Sequence, residues 1–337
     1  MLSNKSRLAR GLAVAGLVTA AALALSGCSG AGTSADTIKA GSDGLIPITV
    51  LRSAGSTFEP LYVAADQGYF KDAGLNVTIK AGAADTSANA PSVANGEAQF
   101  AMTDSAGFIK GFSQGIPIEA VAQLQASAAD VPQSDGLFVK PGGSITSCKD
   151  LAGKTVAVPA LGGIPQIMTY YCASAAGVDV KTIKFVAIPA AGLIDSLKAG
   201  QVDAISTFGP FFDAAKAGGY TLLNKGTNDI LGLTQALLFS STSFLKANED
   251  TAVKFVAALT KGITYANAHP DDVRAIDKKY TTTDPKVIDA RTIQKFSIEF
   301  NQAAMKTVID TMFKSGIITT KPADNVSMFW VKAPSTK

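Results

Sequence analysis

Histidine and cysteine, which build many catalytic and metal centres, are scarce in this sequence. Its 337 residues include one histidine, His269, which lies where a predicted helix gives way to a Pro-Asp turn, and three cysteines. A single histidine does not by itself exclude a Ser-His-Asp set, but no cluster of His and Cys provides a zinc site. We therefore expect no catalytic residues, no metal site and no cofactor.

An excess of positive charge is also missing. The sequence has 30 basic and 27 acidic residues, and three of the basic ones, Lys5, Arg7 and Arg10, stand near its start. Without these three, 27 basic residues balance 27 acidic ones. There is one tryptophan and no Lys/Arg cluster, so the basic face that nucleic acid binding requires is not expected.

The apolar run near the start is too short to span a membrane. Residues 11–25 are apolar over 15 positions, fewer than the roughly 20 that a spanning helix needs. The basic start and the Leu-Ser-Gly-Cys quartet at 25–28 predict a secretory signal over 1–27. The quartet resembles the lipobox of bacterial lipoproteins, which implies that Cys28 carries lipid and that 28–46 is a linker. The alternative is an ordinary secreted protein with an incidental cysteine.

Export with a lipid on Cys28 predicts a location on the extracytoplasmic face of the cell membrane. No later run is apolar for long enough to span a bilayer, so membrane attachment is expected through the lipid alone. The sensor domain of a receptor would require a second membrane segment or a fused output domain, and we see neither in the sequence.

Two stretches of the sequence share one pattern. NGEAQFAMTDSAGF at 95–108 and AGQVDAISTFGPFF at 199–212 each contain a glycine, a polar residue, a short apolar strand and a small-polar turn. Gly96 and Gly200 lie 104 positions apart, and the pair Gln99 and Asp203 keeps this spacing. Such a spacing predicts a duplicated unit. Strands that alternate with helices, twice over, predict two α/β domains with mostly parallel sheets.

Two apolar passages separate the halves of the chain. DGLFVKPG at 135–142 leads into the second unit and TQALLFSS at 234–241 leads out of it, which predicts two hinge strands. Beyond Ser241, apolar residues recur at helical spacing and predict a tail that completes the first domain. The expected lobe boundaries are 47–136 plus 239–337 for lobe 1 and 137–238 for lobe 2.

A ligand is expected beyond the carboxyl ends of the strands, where helices begin and their N–H groups point outward. The sequence offers six such junctions, three in each domain. The alternative for any Ser, Thr or Asp there is a cap that satisfies its own helix. The candidate ligand-binding residues are Thr57, Phe58, Thr86 and Ser105 in lobe 1, and Gly163, Ile164, Ala190 and Phe208 in lobe 2.

Cys148 and Cys172 are candidates for a disulfide. A strand over 155–158 rises about 10 Å and a helix over 163–172 returns about 13 Å, which brings Cys172 back to the level of Cys148. An exported protein lies in a compartment that permits the bond. The alternative is two separate thiols, with Cys172 buried on its helix.

A nucleotide site is not expected. The triplet Gly153-Lys154-Thr155 fits the end of a P-loop, but Cys148 stands where the pattern requires its first glycine. The triplet also precedes its predicted strand instead of following it.

Four segments occur in the order of a known family: PLYVAADQGYFKDAGLNVTI, NGEAQFAMTDSAG, DLAGKTVAVP and LKAGQVDAISTFGPF. Over 47–280 the chain resembles solute-binding proteins of bacterial ABC importers, and is similar to the binders of sulfonates, nitrate, taurine and thiamine pyrimidine precursors. The resemblance implies a two-lobed periplasmic-binding-protein-like fold of type II, a monomer whose lobes close on a small molecule, and an ABC permease as partner.

The resemblance leaves the ligand open. Helix N-termini favour an anion, and Phe58 and Phe208 favour an apolar or flat body, so an organic sulfonate or carboxylate is expected. The alternative is a neutral heterocycle such as a thiamine pyrimidine precursor. Pyrimidine synthases of fungal thiamine biosynthesis resemble the same framework, but their cysteine-rich motif is missing here. A binding protein is therefore expected, not an enzyme.

Overall fold

The fold consists of two α/β lobes, each built on a five-stranded sheet. The structure, a computed structural model, describes residues 37–53, 57–83, 88–281, 283–291, 293–322 and 328–336. The two-lobed architecture predicted from the sequence is confirmed.

The sheet of lobe 1 is mixed. Its strands are β1 (Ile46–Arg52), β2 (Leu75–Ala81), β3 (Phe100–Thr103), β4 (Ile118–Ala126) and β10 (Thr234–Ser241). In the order β2-β1-β3-β10-β4, β1 runs parallel to β2 and β3, whereas β10 runs antiparallel to β3 and β4. All four residues of β3 are buried, as expected for a short apolar strand covered on both faces.

The sheet of lobe 2 has a corresponding plan. Its strands are β5 (Asp135–Val139), β6 (Thr155–Val158), β7 (Lys184–Ala187), β8 (Ala204–Phe208) and β9 (Thr221–Leu222). In the order β7-β6-β8-β5-β9, β6 runs parallel to β7 and β8, and β5 runs antiparallel to β8 and β9. Each lobe therefore has three parallel strands and, beside them, a strand that enters from the other lobe and runs antiparallel.

Helices follow the strands in both lobes. Those of lobe 1 are α1 (Glu59–Asp66), α2 (Tyr69–Asp72), α3 (Asn89–Ala94) and α4 (Ser105–Ser113), and those of lobe 2 are α5 (Ile164–Ala175), α6 (Leu193–Ala199) and α7 (Pro210–Ala217). The tail contains α8 (Thr242–Ala247), α9 (Glu249–Ala268), α10 (Pro270–Tyr280), α11 (Pro285–Ala290), α12 (Gln302–Lys314) and the paired strands β11 (Phe300–Asn301) and β12 (Ser335–Thr336). Short 3-10 turns lie at Cys148–Leu151, Val180–Thr182, Ala190–Gly192 and Gly226–Asp229.

The tail contacts both lobes: α9 packs on lobe 1, and α12 packs on α4 of lobe 1 and on α5 of lobe 2. Phe255 of α9 stacks on Phe100 with ring centroids 4.1 Å apart and on Phe70 at 5.1 Å. Gly262 lets α9 approach α1, because a Cβ at this position would lie 2.7 Å from the Cβ of Ala64. Each fully buried phenylalanine contributes roughly 1.5–3 kcal/mol of hydrophobic stabilisation, so α9 is a principal stabilising element of this lobe.

The repeated stretches perform the same structural task in both lobes. The side chain of Gln99 accepts a hydrogen bond from the N–H of Thr49 in the middle of β1, at 2.7 Å. The side chain of Asp203 accepts one from the N–H of Thr155 at the start of β6, at 2.8 Å. Gly96 and Gly200 both have positive φ, 80° and 74°. In both lobes, the repeated stretch therefore fixes one strand beside its neighbour through a side-chain hydrogen bond.

The passages between the lobes differ from the predicted hinge strands. β5 lies in the second sheet and β10 in the first along their whole lengths, so the chain crosses at 127–134 and 223–233. The boundaries expected at 136/137 and 238/239 fall inside these strands. The runs at 135–142 and 234–241 are apolar because β5 and β10 are buried on both faces of their sheets, not because the chain crosses between lobes there.

A disulfide joins Cys148 to Cys172 in lobe 2, with the Cα atoms 5.8 Å apart. Cys148 begins a 3-10 turn before β6, and Cys172 lies in the last turns of α5. The bond therefore ties the entrance of β6 to the helix that follows this strand.

Candidate ligand-binding cleft

The two passages connect the edges at which the parallel strands end. Leu237 of β10 pairs with Thr103 of β3, so β10 starts beside the carboxyl end of β3. Asp135, the first residue of β5, pairs with Phe208, the last residue of β8. Both carboxyl edges therefore border the crevice between the lobes, which is where open α/β sheets bind ligands.

Ser105 has an unsatisfied polar group at the edge of lobe 1. It is the first residue of α4, its side chain is fully buried, and its Oγ has no hydrogen-bond partner among the described residues. The preceding Asp104 caps α4, with its carboxylate accepting from the N–H of Gly107 at 2.7 Å. A buried hydroxyl without a partner costs on the order of 1–3 kcal/mol. A turn of this side chain toward the crevice would offer its hydroxyl to a ligand.

Thr57 is held in a strained conformation at the first junction. Its φ of 90° is unusual for a residue with a β-branched side chain. Its N–H donates to Oε2 of Glu59 at 2.6 Å, which fixes the strained residue against the start of α1. Strain of this kind costs on the order of 1–3 kcal/mol and is often found in ligand-binding loops.

Phe58 does not line the cleft. Its side chain is fully buried, packs edge-on against Tyr62 with centroids 5.5 Å apart, and lies beneath the guanidinium of Arg52 at 4.5 Å. The prediction of a ligand-contacting ring is therefore wrong for this position. An aromatic residue just before a helix serves the core equally well, and the sequence does not distinguish the two roles.

Thr86 lies outside the described residues, but the described ends of its junction are tied together by Asn89. The Oδ1 of Asn89 accepts from the N–H of Ala83 at 2.9 Å, and its Nδ2 donates to the carbonyl of Met102 at 3.3 Å. This buried amide connects the exit of β2 to β3. Sequence reasoning missed it, although an asparagine at the start of a predicted helix was the available signal.

The lobe 2 edge begins with an uncapped helix. Gly163 occupies the N-cap of α5 in an extended conformation, and no side chain caps this helix. Ile164 and Gly163 are half-buried, and the N–H of Gly162 donates to Oε1 of Gln166 at 2.6 Å. The first turn of α5 is therefore placed at the crevice, and its polar side chain, Gln166, is buried and engaged with the N–H of Gly162.

Apolar side chains continue this edge. Phe208 at the end of β8 is 48% exposed and Leu161 after β6 is 57% exposed. β6 and β8 are neighbours in the sheet, so both side chains belong to one edge. Ala190, half-buried, opens the 3-10 turn before α6 on the same edge. Lobe 2 thus offers an exposed apolar wall.

Thr207 is a further polar residue that sequence reasoning did not select. It is buried, and its Oγ1 has no hydrogen-bond partner among the described residues. Alignment of the two repeated stretches would have found it, because Thr207 occupies the place of Thr103, two residues before Ser105. Each lobe therefore has a buried hydroxyl without a partner near the end of its central strand.

The charges at these edges are few. The guanidinium of Arg52 donates to the hydroxyl of Tyr62 at 3.3 Å and to the carbonyls of Ser53 at 2.9 Å and Tyr280 at 3.0 Å, so it is already engaged. The three lobe 2 junctions, 159–164, 188–192 and 207–211, contain no charged residue. At these junctions, as far as the structure describes them, Arg52 is therefore the positive group, and its donors are used within lobe 1.

A buried charge cluster lies behind the first junction of lobe 1. The guanidinium of Arg291 contacts Oε1 of Glu59 at 2.5 Å and Oδ2 of Asp277 at 3.0 Å. Both carboxylate side chains are nearly inaccessible, at 0% and 3% exposure. Burial raises the pKa of Asp277 to about 7, the charge of Glu59 adds to the rise and Arg291 opposes it. Since Glu59 also holds Thr57, this cluster supports the strained junction.

Two cavities lie away from the predicted site residues. One of about 240 Å³ lies between α5 and α12 and is lined by Tyr170, Tyr171 and Lys314, among others. The other, of about 280 Å³, lies at the passages and is lined by Ser127, Gly232 and further residues. Neither includes a predicted ligand-binding residue, so we place the candidate site at the facing edges.

We also searched the described part of the chain for metal-binding groups and for membrane-spanning helices. It contains no group of three or more His, Cys, Asp and Glu residues that could hold a metal ion, and no helix long and apolar enough to cross a membrane. His269 is exposed and stacks on Tyr265 at 3.9 Å, at the end of α9. Cys28 lies outside the described residues.

Two α/β lobes joined by two passages, with strand ends facing a shared crevice, define the class of two-lobed binding proteins of the periplasmic type. The chain belongs to the family described as NMT1/THI5 like, whose model matches residues 56–273. Proteins of this class bind small molecules, so the family places the chain among binding proteins and not among enzymes.

Comparisons with individual proteins agree with this placement. The chain is 28% identical over 241 residues to a Bacillus subtilis (strain 168) protein named "Putative binding protein YtlA", covering 69% of this chain and 70% of that protein. The periplasmic aliphatic sulphonate binding protein SsuA of Escherichia coli has a similar fold, with a TM-score of 0.69, 16% identity, and coverage of 86% of this chain and 94% of that one. The periplasmic nitrate-binding protein NrtA of Synechocystis PCC 6803 gives a TM-score of 0.61 at 13% identity, covering 86% of both chains.

Proposed function

We propose that this protein is the extracytoplasmic receptor of an ABC importer, which captures a small organic solute between its lobes and delivers it to a membrane permease. The observation that carries the proposal is the pair of facing carboxyl edges: a buried hydroxyl without a partner at Ser105 in lobe 1 and an exposed apolar wall around Phe208 in lobe 2. An edge that combines a few polar groups with apolar surface is typical of small-molecule sites.

The receptor is proposed to work as a monomer on the outer face of the cell membrane, held there by a lipid on Cys28 after removal of 1–27. Support comes from the Leu-Ser-Gly-Cys quartet that follows the apolar run. Cys28→Ser should release the protein from the membrane fraction or leave it as an uncleaved precursor. A processed Cys28→Ser protein that stays in the membrane fraction would contradict the anchor.

The ligand is proposed to be a small, uncharged ring compound. The one arginine at the junctions, Arg52, is engaged by its own lobe, and the lobe 2 junctions are uncharged. A neutral heterocycle needs only hydroxyls, N–H groups and a flat apolar surface, and the edges supply these. Phe208 then stacks against the ring, an arrangement that aromatic side chains favour.

An organic anion, the class favoured by the sequence, is the second candidate. The uncapped start of α5 at Gly163 and Ile164 supports it, because free N–H groups and the helix dipole favour negative charge. The Escherichia coli relative named above is a sulphonate binder. The two candidates require different parts of the cleft. An anion requires the free N–H groups at the start of α5, and a neutral ring requires the exposed apolar wall around Phe208.

A thermal-shift panel followed by calorimetry tests the function and separates the two candidates. A neutral hydroxymethylpyrimidine, a short alkanesulfonate and nitrate are added at millimolar concentration to the purified chain. A ligand at 100 times its Kd stabilises the folded state by about 2.7 kcal/mol. A shift with the pyrimidine alone supports the first candidate and a shift with the sulfonate alone supports the second. If native mass spectrometry of protein from its own host also finds no bound small molecule, the receptor proposal fails.

A further inference from the structure

The passages between the lobes are joined by one carboxylate. Asp135, at the start of β5, accepts a hydrogen bond from the N–H of Thr227 at 2.8 Å and another from its hydroxyl at 2.7 Å. Thr227 lies in the second passage, in the turn Gly226–Asp229. The carboxylate therefore bridges the end of the first passage and the middle of the second.

The bridge is built tightly. Gly226 has a φ of 57°, and a Cβ at this position would overlap the carboxylate and the carbonyl of Asp135. Only glycine combines this conformation with so close an approach. Gln133 donates from Nε2 to the carbonyls of Asp135 and Asn224, both at 2.9 Å, which adds a second connection between the passages.

The bridge continues into lobe 1. The hydroxyl of Thr227 accepts a hydrogen bond from Nε2 of Gln235 on β10 at 2.7 Å. Gln294, in the tail that packs on lobe 1, donates to the hydroxyl of Ser134 at 2.9 Å. A relay thus runs from Asp135 in lobe 2 through Thr227 to Gln235 in lobe 1.

The relay has a direction that depends on the charge of the carboxyl group. An ionised carboxylate is an acceptor only, so the hydroxyl of Thr227 must donate to it and offers its lone pair to Gln235. A protonated carboxyl turns one of its oxygens into a donor and no longer accepts from both the N–H and the hydroxyl of Thr227. Hydrogen bonds to an ionised partner are also about twice as strong as neutral ones. The hydrogen bonds from Thr227 lower the pKa of Asp135 in the joined hinge, so a hinge that has lost them while the carboxyl stays buried binds the proton more tightly, and proton uptake weakens the connection between the lobes.

We propose that Asp135 is a positioning residue for lobe closure: its ionised carboxylate joins the two passages into one stiff hinge, and proton uptake frees the lobes to move apart. Asp135 acts through Thr227 and Gln235. The proposal rests on the proposed receptor function for its purpose, since a hinge that loosens in acid would release solute there.

The surroundings of Asp135 bring proton uptake by its carboxylate into a pH range in which the protein can be studied. Burial raises the pKa of Asp135 to about 6, the two hydrogen bonds from Thr227 oppose the rise, and the negative charge of Asp229 adds to it. Three uncharged residues meet Asp135 from the elements around it. Phe208 pairs with it from β8, Gln133 contacts it from the first passage, and Gln235 of β10 reaches it through Thr227. Asp229, whose carboxylate accepts from the N–H of Lys225 at 3.2 Å, is the charged neighbour to be controlled for.

The test measures the distance between the lobes without any ligand, so its outcome does not depend on the receptor function. Spin labels are placed on cysteines introduced at the exposed residues Lys71 in lobe 1 and Lys198 in lobe 2, in the full chain with Cys28→Ser. We expect the electron–electron distance distribution to broaden or shift as the pH falls from 7.5 to 5, with a midpoint at about pH 6. A distribution that stays constant over this range would overturn the proposal without any variant being needed.

Variants then assign the titration. Asp135→Asn should show the low-pH distribution at every pH, and Asp229→Asn should keep a transition at a slightly lower midpoint. The matched control is Asp130→Asn, an exposed carboxylate in the first passage, which should titrate as the parent does. If Asp135→Asn titrates like the parent, Asp135 is not the switch. Once a ligand is known, its affinity for the parent should fall roughly 5-fold or more between pH 7.5 and 5, and its affinity for Asp135→Asn should not change with pH.

Discussion

The two lobes share one framework but are held together by different forces. Among the described residues, the ion pairs lie in lobe 1 and the tail packed on it, and none falls within 135–233. Lobe 2 instead has the Cys148–Cys172 disulfide and an uncharged edge. The candidate cleft edge of lobe 1 is supported by buried charge, whereas lobe 2 is held by apolar packing and by a covalent bond at the opposite end of β6.

The two lobes therefore support the candidate binding site in different ways. Lobe 1, with the tail behind it, supports strained and polar junctions such as Thr57 and Ser105. Lobe 2 is contacted by the tail mainly through α12, which packs on α5, and it has its disulfide in addition. The lobes should therefore respond differently to charge, to reduction and to pH.

The largest expected difference between the lobes comes from removing Arg291, the cation that pairs with both Glu59 and Asp277 in lobe 1. Arg291→Met keeps the length of the side chain but leaves Glu59 and Asp277 buried without a counter-charge. Breaking a buried ion pair by removing one partner costs about 3–5 kcal/mol. We expect urea denaturation at pH 7.5 to show a loss near the lower figure, because Arg291 is 28% exposed.

Lys332→Met is the matched control for this loss. Lys332 pairs with Glu249 at 2.5 Å, but both side chains are about half exposed, at 45% and 46%. Exposed pairs contribute about 0–1 kcal/mol. If the two variants lose the same stability, the buried cluster has no special role in lobe 1.

The next largest effect should fall on lobe 2 when its disulfide is removed. Cys148→Ala with Cys172→Ala opens a loop closed over a separation of 24 residues. The chain-entropy estimate for such a loop is roughly 3 kcal/mol. The double variant should unfold at lower urea concentration, and the parent should show the same loss in a reducing agent. Two free thiols in the unfolded, unreduced parent would contradict the bond.

Sequence reasoning predicted the framework of both lobes correctly, and its remaining candidate ligand-binding residues stay predictions. Strand–helix alternation, the spacing of Gln99 and Asp203, and the pairing of two cysteines follow from local pattern and simple geometry. The hinge passages were misplaced because a buried strand and an apolar crossing have the same composition. Phe58 was misassigned because a ring at a helix start serves the core or a ligand equally well. Arg291 and Asp277 lie more than 200 residues from Glu59, and only tertiary packing brings such residues together.

A smaller effect should appear in the pH dependence of lobe 1. The folded-state pKa of Asp277, about 7, lies above its unfolded value of about 4, so the folded protein binds this proton more tightly. The destabilisation is absent below about pH 4, grows as the pH rises and is complete above about pH 7. Asp277→Asn removes it, so the stability of the variant relative to the parent should improve by about 2 kcal/mol from pH 5 to pH 8.

Denaturation series at four or more pH values check this trend, with Asp289→Asn as the control. Asp289 pairs with Lys278, but its side chain is 58% exposed. A relative stability of Asp277→Asn that is flat with pH, or that falls as the pH rises, would show that the pKa of Asp277 is not raised in the folded protein. In that case lobe 1 would be no more sensitive to pH than lobe 2.

The smallest and most local effect compares the two buried hydroxyls. Ser105→Ala and Thr207→Val each remove an Oγ that has no partner among the described residues, one in each lobe. Without ligand, both changes should leave the melting temperature of the protein unchanged or slightly higher, because an unsatisfied buried group is lost.

A neutral hydrogen bond to a ligand contributes about 0.5–1.5 kcal/mol, so a hydroxyl that turns to the ligand should weaken binding by roughly 2- to 12-fold when removed. We expect this loss for Ser105→Ala, at the start of α4, and a smaller loss for Thr207→Val, whose lobe contributes mainly apolar surface. Calorimetric titration with the ligand identified by the thermal-shift panel decides between them. A larger loss for Thr207→Val would reverse the assignment of polar recognition to lobe 1 and of the apolar wall to lobe 2.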